Sequence, residues 1–168
     1  MTAWQQAWQH KLLDPATIGE SVAALRRQGA TIATLNGSFD LLHAGHLHIL
    51  YEASLVADSL IVALNSDASI RGYKGPGRPL IPLECRLQLI AALACVDYVT
   101  WFEETDPCAL LEMIRPDVHV NGVEYGIECI EASTVRRHGG RVHLVDRIPG
   151  LATSTIIAAI ENQLTAAR

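Results

Sequence analysis

The 168-residue chain has only four cysteines, Cys85, Cys95, Cys108 and Cys129, and no two are spaced as C-x-x-C. That excludes a zinc ribbon or a thioredoxin-like pair and points to reduced thiols in a cytoplasmic protein. No apolar run reaches the length that spans a bilayer, and the N-terminus lacks the basic start and apolar stretch of a signal peptide. No block of like charge appears, and a net charge of −5 argues against broad nucleic-acid binding, which needs a basic face. Three enzyme signatures are missing as well. There is no G-x-G-x-x-G after the first strand, no G-x-x-x-x-G-K-[ST] and no nucleophile elbow. Dinucleotide dehydrogenases, P-loop enzymes and serine or cysteine hydrolases are thereby set aside.

What is present is a chain with 49% hydrophobic residues, enough to bury the core of one domain. Short apolar runs at 31–35, 59–64, 98–102, 117–120 and 141–145 alternate with amphipathic helical runs. Five such alternations predict a single α/β domain, a Rossmann-like doubly wound five-stranded parallel sheet with right-handed crossovers. Residues 1–29 read as an N-terminal helical arm. In it Trp4 and Trp8 stand at helical spacing, Asp14-Pro15 starts a helix, and Ile18, Val22 and Leu25 form one face. Residues 30–168 form the main domain. The helix from about residue 44 is expected to bury Leu47, Leu50, Tyr51 and Leu55. Later helices are expected over 127–137 and from the Leu151–Thr155 stretch to about Gln163.

The chain is organised around Asn36-Gly-Ser-Phe-Asp-Leu-Leu-His-Ala-Gly-His46. A strand enters this stretch and a helix leaves it. A helix opening has unpaired N–H groups and the positive end of the macrodipole, so it suits an anion. His43 and His46 share one side of the first turn, and Gly45 lets a ligand approach the backbone. With seven histidines and twelve glycines, His-x-Gly-His should arise by chance roughly 0.02 times. His43, His46 and His48 do not read as a zinc set, because His48 points away from the other two and no cysteine is near. No metal ligands are expected.

Other polar clusters also follow strands, on the edge where open sheets place ligand contacts. Asn65-Ser66-Asp67 reads either as ligand contacts or as a turn and helix cap. The loop Arg71–Pro79 concentrates glycines with Lys74 and Arg78, which suits an anion. Arg86 sits in a first helical turn where the dipole disfavours a cation, so it needs a ligand or an ion pair. Asn121–Tyr125 follows the fourth strand. Arg147, Gly150 and Thr153-Ser154-Thr155 precede the last helix and form a second anion cradle.

Taken together, these residues resemble the H-x-G-H nucleotidyltransferases, the cytidylyltransferase-like family, over about residues 30–160. The Asn65–Asp67, Lys74–Pro79, Arg86 and Gly150–Ile157 stretches are most similar to the branch that adenylylates D-glycero-β-D-manno-heptose 1-phosphate for bacterial lipopolysaccharide. No sugar-kinase domain lies in the 168 residues, so a stand-alone form is expected. The resemblance implies a catalytic set of His43, His46 and Lys74. It implies nucleotide contacts from Asn36, Gly37, Ser38, Phe39, His43, Gly45, His46, Arg147, Gly150, Thr153 and Ser154. It implies substrate contacts from Asp40, Asn65, Asp67, Lys74, Arg86, Asn121 and Glu124. ATP and a sugar 1-phosphate would be the substrates, Mg²⁺ would be held through the nucleotide phosphates, and a homodimer is expected with no nucleic-acid or membrane partner.

Two departures stand out. Ala152-Thr153-Ser154 replaces the Ser-Thr-Thr common in the family. Asn121-Gly-Val-Glu-Tyr125 replaces Lys-Gly-Gly-Asp-Tyr. Two alternatives follow from the same residues: cytidylyl transfer to another phosphorylated acceptor such as glycerol 3-phosphate, or a nucleotide-binding sensor without catalysis.

Overall fold

A computed structural model of the chain describes residues 3–167; the side chains of Trp4 and Gln5 lie outside the described set, so the expected role of Trp4 does too. The helices are α1 (Ala3–Ala7), α2 (Ile18–Arg27), α3 (Ala44–Ser54), α4 (Asp67–Lys74), α5 (Leu83–Ala91), α6 (Cys108–Ile114), α7 (Ala132–Arg137) and α8 (Thr153–Ala166). The strands are β1 (Ile32–Gly37), β2 (Ser59–Asn65), β3 (Tyr98–Phe102), β4 (Val118–Gly122) and β5 (Arg141–Val145).

The five strands form one parallel sheet in the order β3-β2-β1-β4-β5. This is the doubly wound sheet the alternation predicts. The chain runs outward from β1 to β3, then returns to β4 on the other side of β1. That reversal leaves a crevice at the C-terminal ends of β1 and β4, where such sheets bind ligands.

Side-chain alternation along each strand builds two cores. Ala33, Leu35, Leu60, Val62, Leu64, Val99, Val118 and Val120 pack with Leu50 and Ala53 of α3 and Leu87, Ile90 and Ala91 of α5. On the other face, Ile32, Ile61, Ala63 and Phe102 pack with Ile18 and Val22 of α2 and Leu110 and Ile114 of α6. The N-terminal segment contributes to both cores, Trp8 to the first and Ile18 and Val22 to the second. Among the described residues, no helix is long and apolar enough to cross a membrane.

Three expectations need correction. In α3 the buried residues are Leu50 and Ala53, whereas Leu47, Tyr51 and Leu55 are exposed. That helix carries apolar residues on every side, so its spacing does not single out the inward face. Residues 71–74 are helical, because α4 runs from Asp67 to Lys74 and stops only at Gly75, whose φ of 88° ends it. The helix expected over 127–137 begins at Ala132.

Candidate active site

The site starts from the turn between β1 and α3. Phe39 and Leu41 both hold left-handed backbone, with φ of 46° and 56°. Non-glycine residues take that conformation only when their surroundings enforce it. Here several donors fix the turn. Lys74 Nζ donates to Ser38 Oγ at 2.9 Å, Arg86 Nη1 donates to Ser38 O at 2.6 Å, and Thr153 Oγ1 donates to Asp40 O at 2.9 Å. Phe39 is buried, and a Cβ on Gly37 would stand 3.1 Å from its ring.

The turn delivers the histidines. His43 is the N-cap of α3, and His46 N donates to His43 Nδ1 at 3.4 Å. With Nδ1 accepting, a neutral His43 carries its proton on Nε2 as a donor. The His43 and His46 rings stack, with centroids 3.8 Å apart and planes inclined by 20°. Phe39 meets His46 edge-on at 5.3 Å. Burial, together with the nearby charges of His43 and Lys74, pushes His46 down to about 4. Burial and Arg147 lower His43 as well. Both shifts favour the neutral imidazoles, and an anion brought close to them would favour their charged forms.

A cavity of about 450 Å³ opens over this turn. Its walls include Asn36, Gly37, Ser38, Phe39, His43, Gly45, His46, Lys74, Asn121, Glu124, Arg147, Thr153 and Ser154, all expected from the sequence. Burial lowers the Lys74 ammonium, and Arg78 lowers it further. Arg147 Nε lies 3.5 Å from Glu124 Oε1. Ala152 caps α8 without a side-chain hydrogen bond, so the departure from Ser leaves the first turn of α8 uncapped by that residue.

Five expected residues do not line the cavity: Asp40, Asn65, Asp67, Arg86 and Gly150. Asp40 is fully buried. Its carboxylate accepts from Arg78 Nε at 2.7 Å, Leu80 N at 2.9 Å and Ile81 N at 3.0 Å. Burial alone would raise its pKa, but those hydrogen bonds and the Arg78 charge hold it below the usual carboxylate range. A carboxylate so engaged has no open face for substrate or Mg²⁺.

Asn65 Nδ2 donates to Ser69 Oγ, and Ser66 Oγ caps α4 by accepting from Ser69 N. This stretch is the helix cap that the sequence left open. Arg86, expected to touch a phosphate, is fully buried. Its Nε donates to Ile81 O at 2.9 Å, Nη1 to Ser38 O, and Nη2 to Asn65 O at 2.9 Å and Asp67 Oδ1 at 2.7 Å. Four donors are taken by the protein, and the side chain has no exposure to a ligand. Gly150, with φ of 77°, turns the chain ahead of Leu151.

Asn121 is nearly buried at the cavity wall. Its Nδ2 donates to Glu131 Oε2 at 3.4 Å and its Oδ1 accepts from Gly122 N at 3.2 Å. The amide thus shapes the strand end that carries Glu124 and Tyr125. Sequence reasoning overlooked Asp146 and Ile148 as wall residues, placed Tyr125 and Leu151 only within flagged stretches, and left Arg78 outside its site assignment. Their signal was position alone, just beyond β4 and β5. Among the described residues, no group of three or more His, Cys, Asp or Glu could hold a metal. The cavity offers single carboxylates, Glu124 and Asp146. That donor set suits a magnesium ion carried on phosphates better than one caged by protein.

Comparison with known proteins agrees with this geometry. The cytidylyltransferase-like family profile matches residues 34–159. The bifunctional protein HldE of Syntrophotalea carbinolica is 46% identical over 80% of this chain and 28% of its own length. HldE of Mesorhizobium japonicum is 43% identical over 92% of this chain and 31% of its length. The chain therefore spans about a third of the length of these curated relatives. Among solved structures, the lipopolysaccharide core biosynthesis protein of Thermoplasma volcanium is 29% identical, covers 71% of this chain and 98% of its own, and superposes with a TM-score of 0.59. A pantoate-beta-alanine ligase from Francisella tularensis, 14% identical with a TM-score of 0.58 over 89% of this chain and 76% of its own, shares the fold. The family match covers well over half of the chain, and the chain therefore belongs to the cytidylyltransferase-like family.

Proposed function

We propose that the protein is a nucleotidyltransferase that joins ATP to D-glycero-β-D-manno-heptose 1-phosphate, giving ADP-heptose and pyrophosphate for lipopolysaccharide core assembly. The observation that carries this reading is the convergence of His43, His46, Lys74 and Arg147 on one cavity beside the openings of α3 and α8. The similarity to the HldE relatives and to a lipopolysaccharide core biosynthesis protein supports the pathway.

The reaction is an in-line displacement. A sugar-phosphate oxygen bonds to the α-phosphorus of ATP as the bond to the bridging α–β oxygen breaks, and pyrophosphate leaves with that electron pair. The attacking oxygen is already anionic, so no general base is needed. The site accordingly holds cations and N–H donors and no nucleophile, and it works by positioning and charge stabilisation. His43 and His46 face the α-phosphate and the departing oxygen. Lys74, held at the signature turn by Ser38, binds phosphate beside them, while Arg147, Thr153 and Ser154 hold the outer phosphates. Arg147, Thr153 and Ser154 would thereby also hold any Mg²⁺ carried on those phosphates, with Glu124 and Asp146 as the cavity's carboxylates, and the ion would supply further charge neutralisation. The acting form is a cytoplasmic homodimer.

The test is pyrophosphate release with Mg²⁺, crossing ATP and CTP against heptose 1-phosphate and glycerol 3-phosphate. Release with ATP and heptose 1-phosphate alone is the expected result. Release with CTP and glycerol 3-phosphate would move the chain to another branch of its family. Tight nucleotide binding without release by any pair would favour a sensor.

A further inference from the structure

Among the described residues Arg86 is the largest fully buried side chain, and it is a charged one. Its hydrogen bonds land on three segments, and each segment delivers a cavity residue. Ser38 O belongs to the signature turn, Asn65 O and Asp67 Oδ1 to the start of α4, and Ile81 O to the loop that follows Arg78. Helix α4 is consequently tied to Ser38 at both ends. At its start the tie runs from Asp67 through Arg86 to Ser38 O. At its last residue it is the bond from Lys74 Nζ to Ser38 Oγ.

We propose that Arg86 is a positioning residue that acts through Lys74: its guanidinium locks the first turn of α4 to the signature turn and so fixes where the Lys74 ammonium stands over the cavity. Only a planar fork with donors on three nitrogens can reach all these acceptors at once; an ammonium on a flexible stem cannot. The geometry also accounts for a cation in a first helical turn, where the dipole opposes it. The inference rests on the nucleotidyl-transfer reading, in which Lys74 binds a phosphate.

Among the described residues Asp67 is the one anionic partner of Arg86; it lies outside the cavity lining and is partly exposed, so it can be changed with the apolar core left intact. The experiment is a double-mutant cycle on pyrophosphate release with Asp67→Ala, Lys74→Ala and the pair, with Arg86→Lys alongside. A misplaced group typically costs one to two orders of magnitude. Asp67→Ala is therefore expected to lower kcat about tenfold in the wild-type background. In the Lys74→Ala background it should have almost no further effect, because the group it positions is gone. Melting temperatures should fall equally in both backgrounds. Arg86→Lys, where it folds, should not restore turnover.

The same tenfold loss in both backgrounds, or no loss in either, would overturn the proposal. The cycle is repeated on ATP affinity by calorimetry. If the wild type binds ATP and releases no pyrophosphate, the transfer reading fails, and coupling in ATP affinity still decides the role of Arg86. If the wild type neither turns over nor binds ATP, both fall.

Discussion

Replacing Gly45 by alanine should separate stability from activity. Gly45 is the second residue of α3, and a Cβ built there stands 3.0 Å from both Cε1 and Nδ1 of His43 and 3.1 Å from Leu151 O. Carbon atoms sit comfortably at about 3.5–4.0 Å, so these neighbours must retreat by roughly half an ångström. Leu151 O is main chain in the segment that leads into α8. The His43 ring is held against His46, 3.8 Å away. The methyl therefore disturbs the imidazole pair or the Leu151 segment that leads into α8. Against this, alanine is up to about 1 kcal/mol better than glycine within a helix. A 1 Å misplacement in an active site costs about 100-fold, so half that distance predicts on the order of a 10-fold loss in kcat/KM. A pyrophosphate-release assay and a thermal melt on the same preparation test this. The expected result is reduced turnover with an unchanged or higher Tm. Wild-type turnover, or a loss that tracks a collapsing Tm, would refute the reasoning.

Other outcomes follow from the same structure. Asp40→Asn removes the charge facing Arg78 in a pair whose carboxylate is fully buried and whose guanidinium is 18% exposed at the cavity; breaking a buried pair costs about 3–5 kcal/mol, and the exposure of Arg78 puts this loss at or below the lower end, which urea unfolding will read. His46 and His119 are each pushed down to about 4, chiefly by burial, with Glu131 opposing in the case of His119. The unfolded chain binds these protons near pH 6.5 and the folded chain only near 4, so stability falls as pH drops through that window and is flat above it. A Tm series from pH 8 to 4 checks the profile, and His119→Gln should flatten part of it. Chelation of Mg²⁺ should abolish pyrophosphate release without lowering the melting temperature of the ligand-free protein, because no described cluster holds a structural metal.

The sheet and the signature turn were legible because their signals are local. The apolar run into Asn36, the glycines and the His-x-Gly-His spacing lie within sixteen residues. The inward face of α3 was not legible, because Leu47, Ile49, Leu50, Tyr51 and Leu55 surround the helix. Ser66 as the cap of α4 was readable only as one of two options, since a cap and a ligand contact use the same residue types. Arg86 and Asp40 were each readable only as one of two options, for a tertiary reason. A buried ion pair or turn anchor uses the same charges as a ligand contact, and only the packing of α5 against the turn, for Arg86, and of the 78–81 loop, for Asp40, shows that each finds its partners inside the protein. Asn121 in place of lysine looked like a lost contact; in the structure its amide serves the cavity wall through Glu131 and Gly122.

The most direct measurement is pyrophosphate release by His46→Ala with ATP, Mg²⁺ and heptose 1-phosphate, with circular dichroism confirming the fold. Removal of one transition-state donor typically costs on the order of 10²–10³ in turnover, and that loss is the expected result, with the protein still folded. A folded His46→Ala variant turning over at the wild-type rate would contradict the account, because the stacked histidine pair would then lie outside the chemistry.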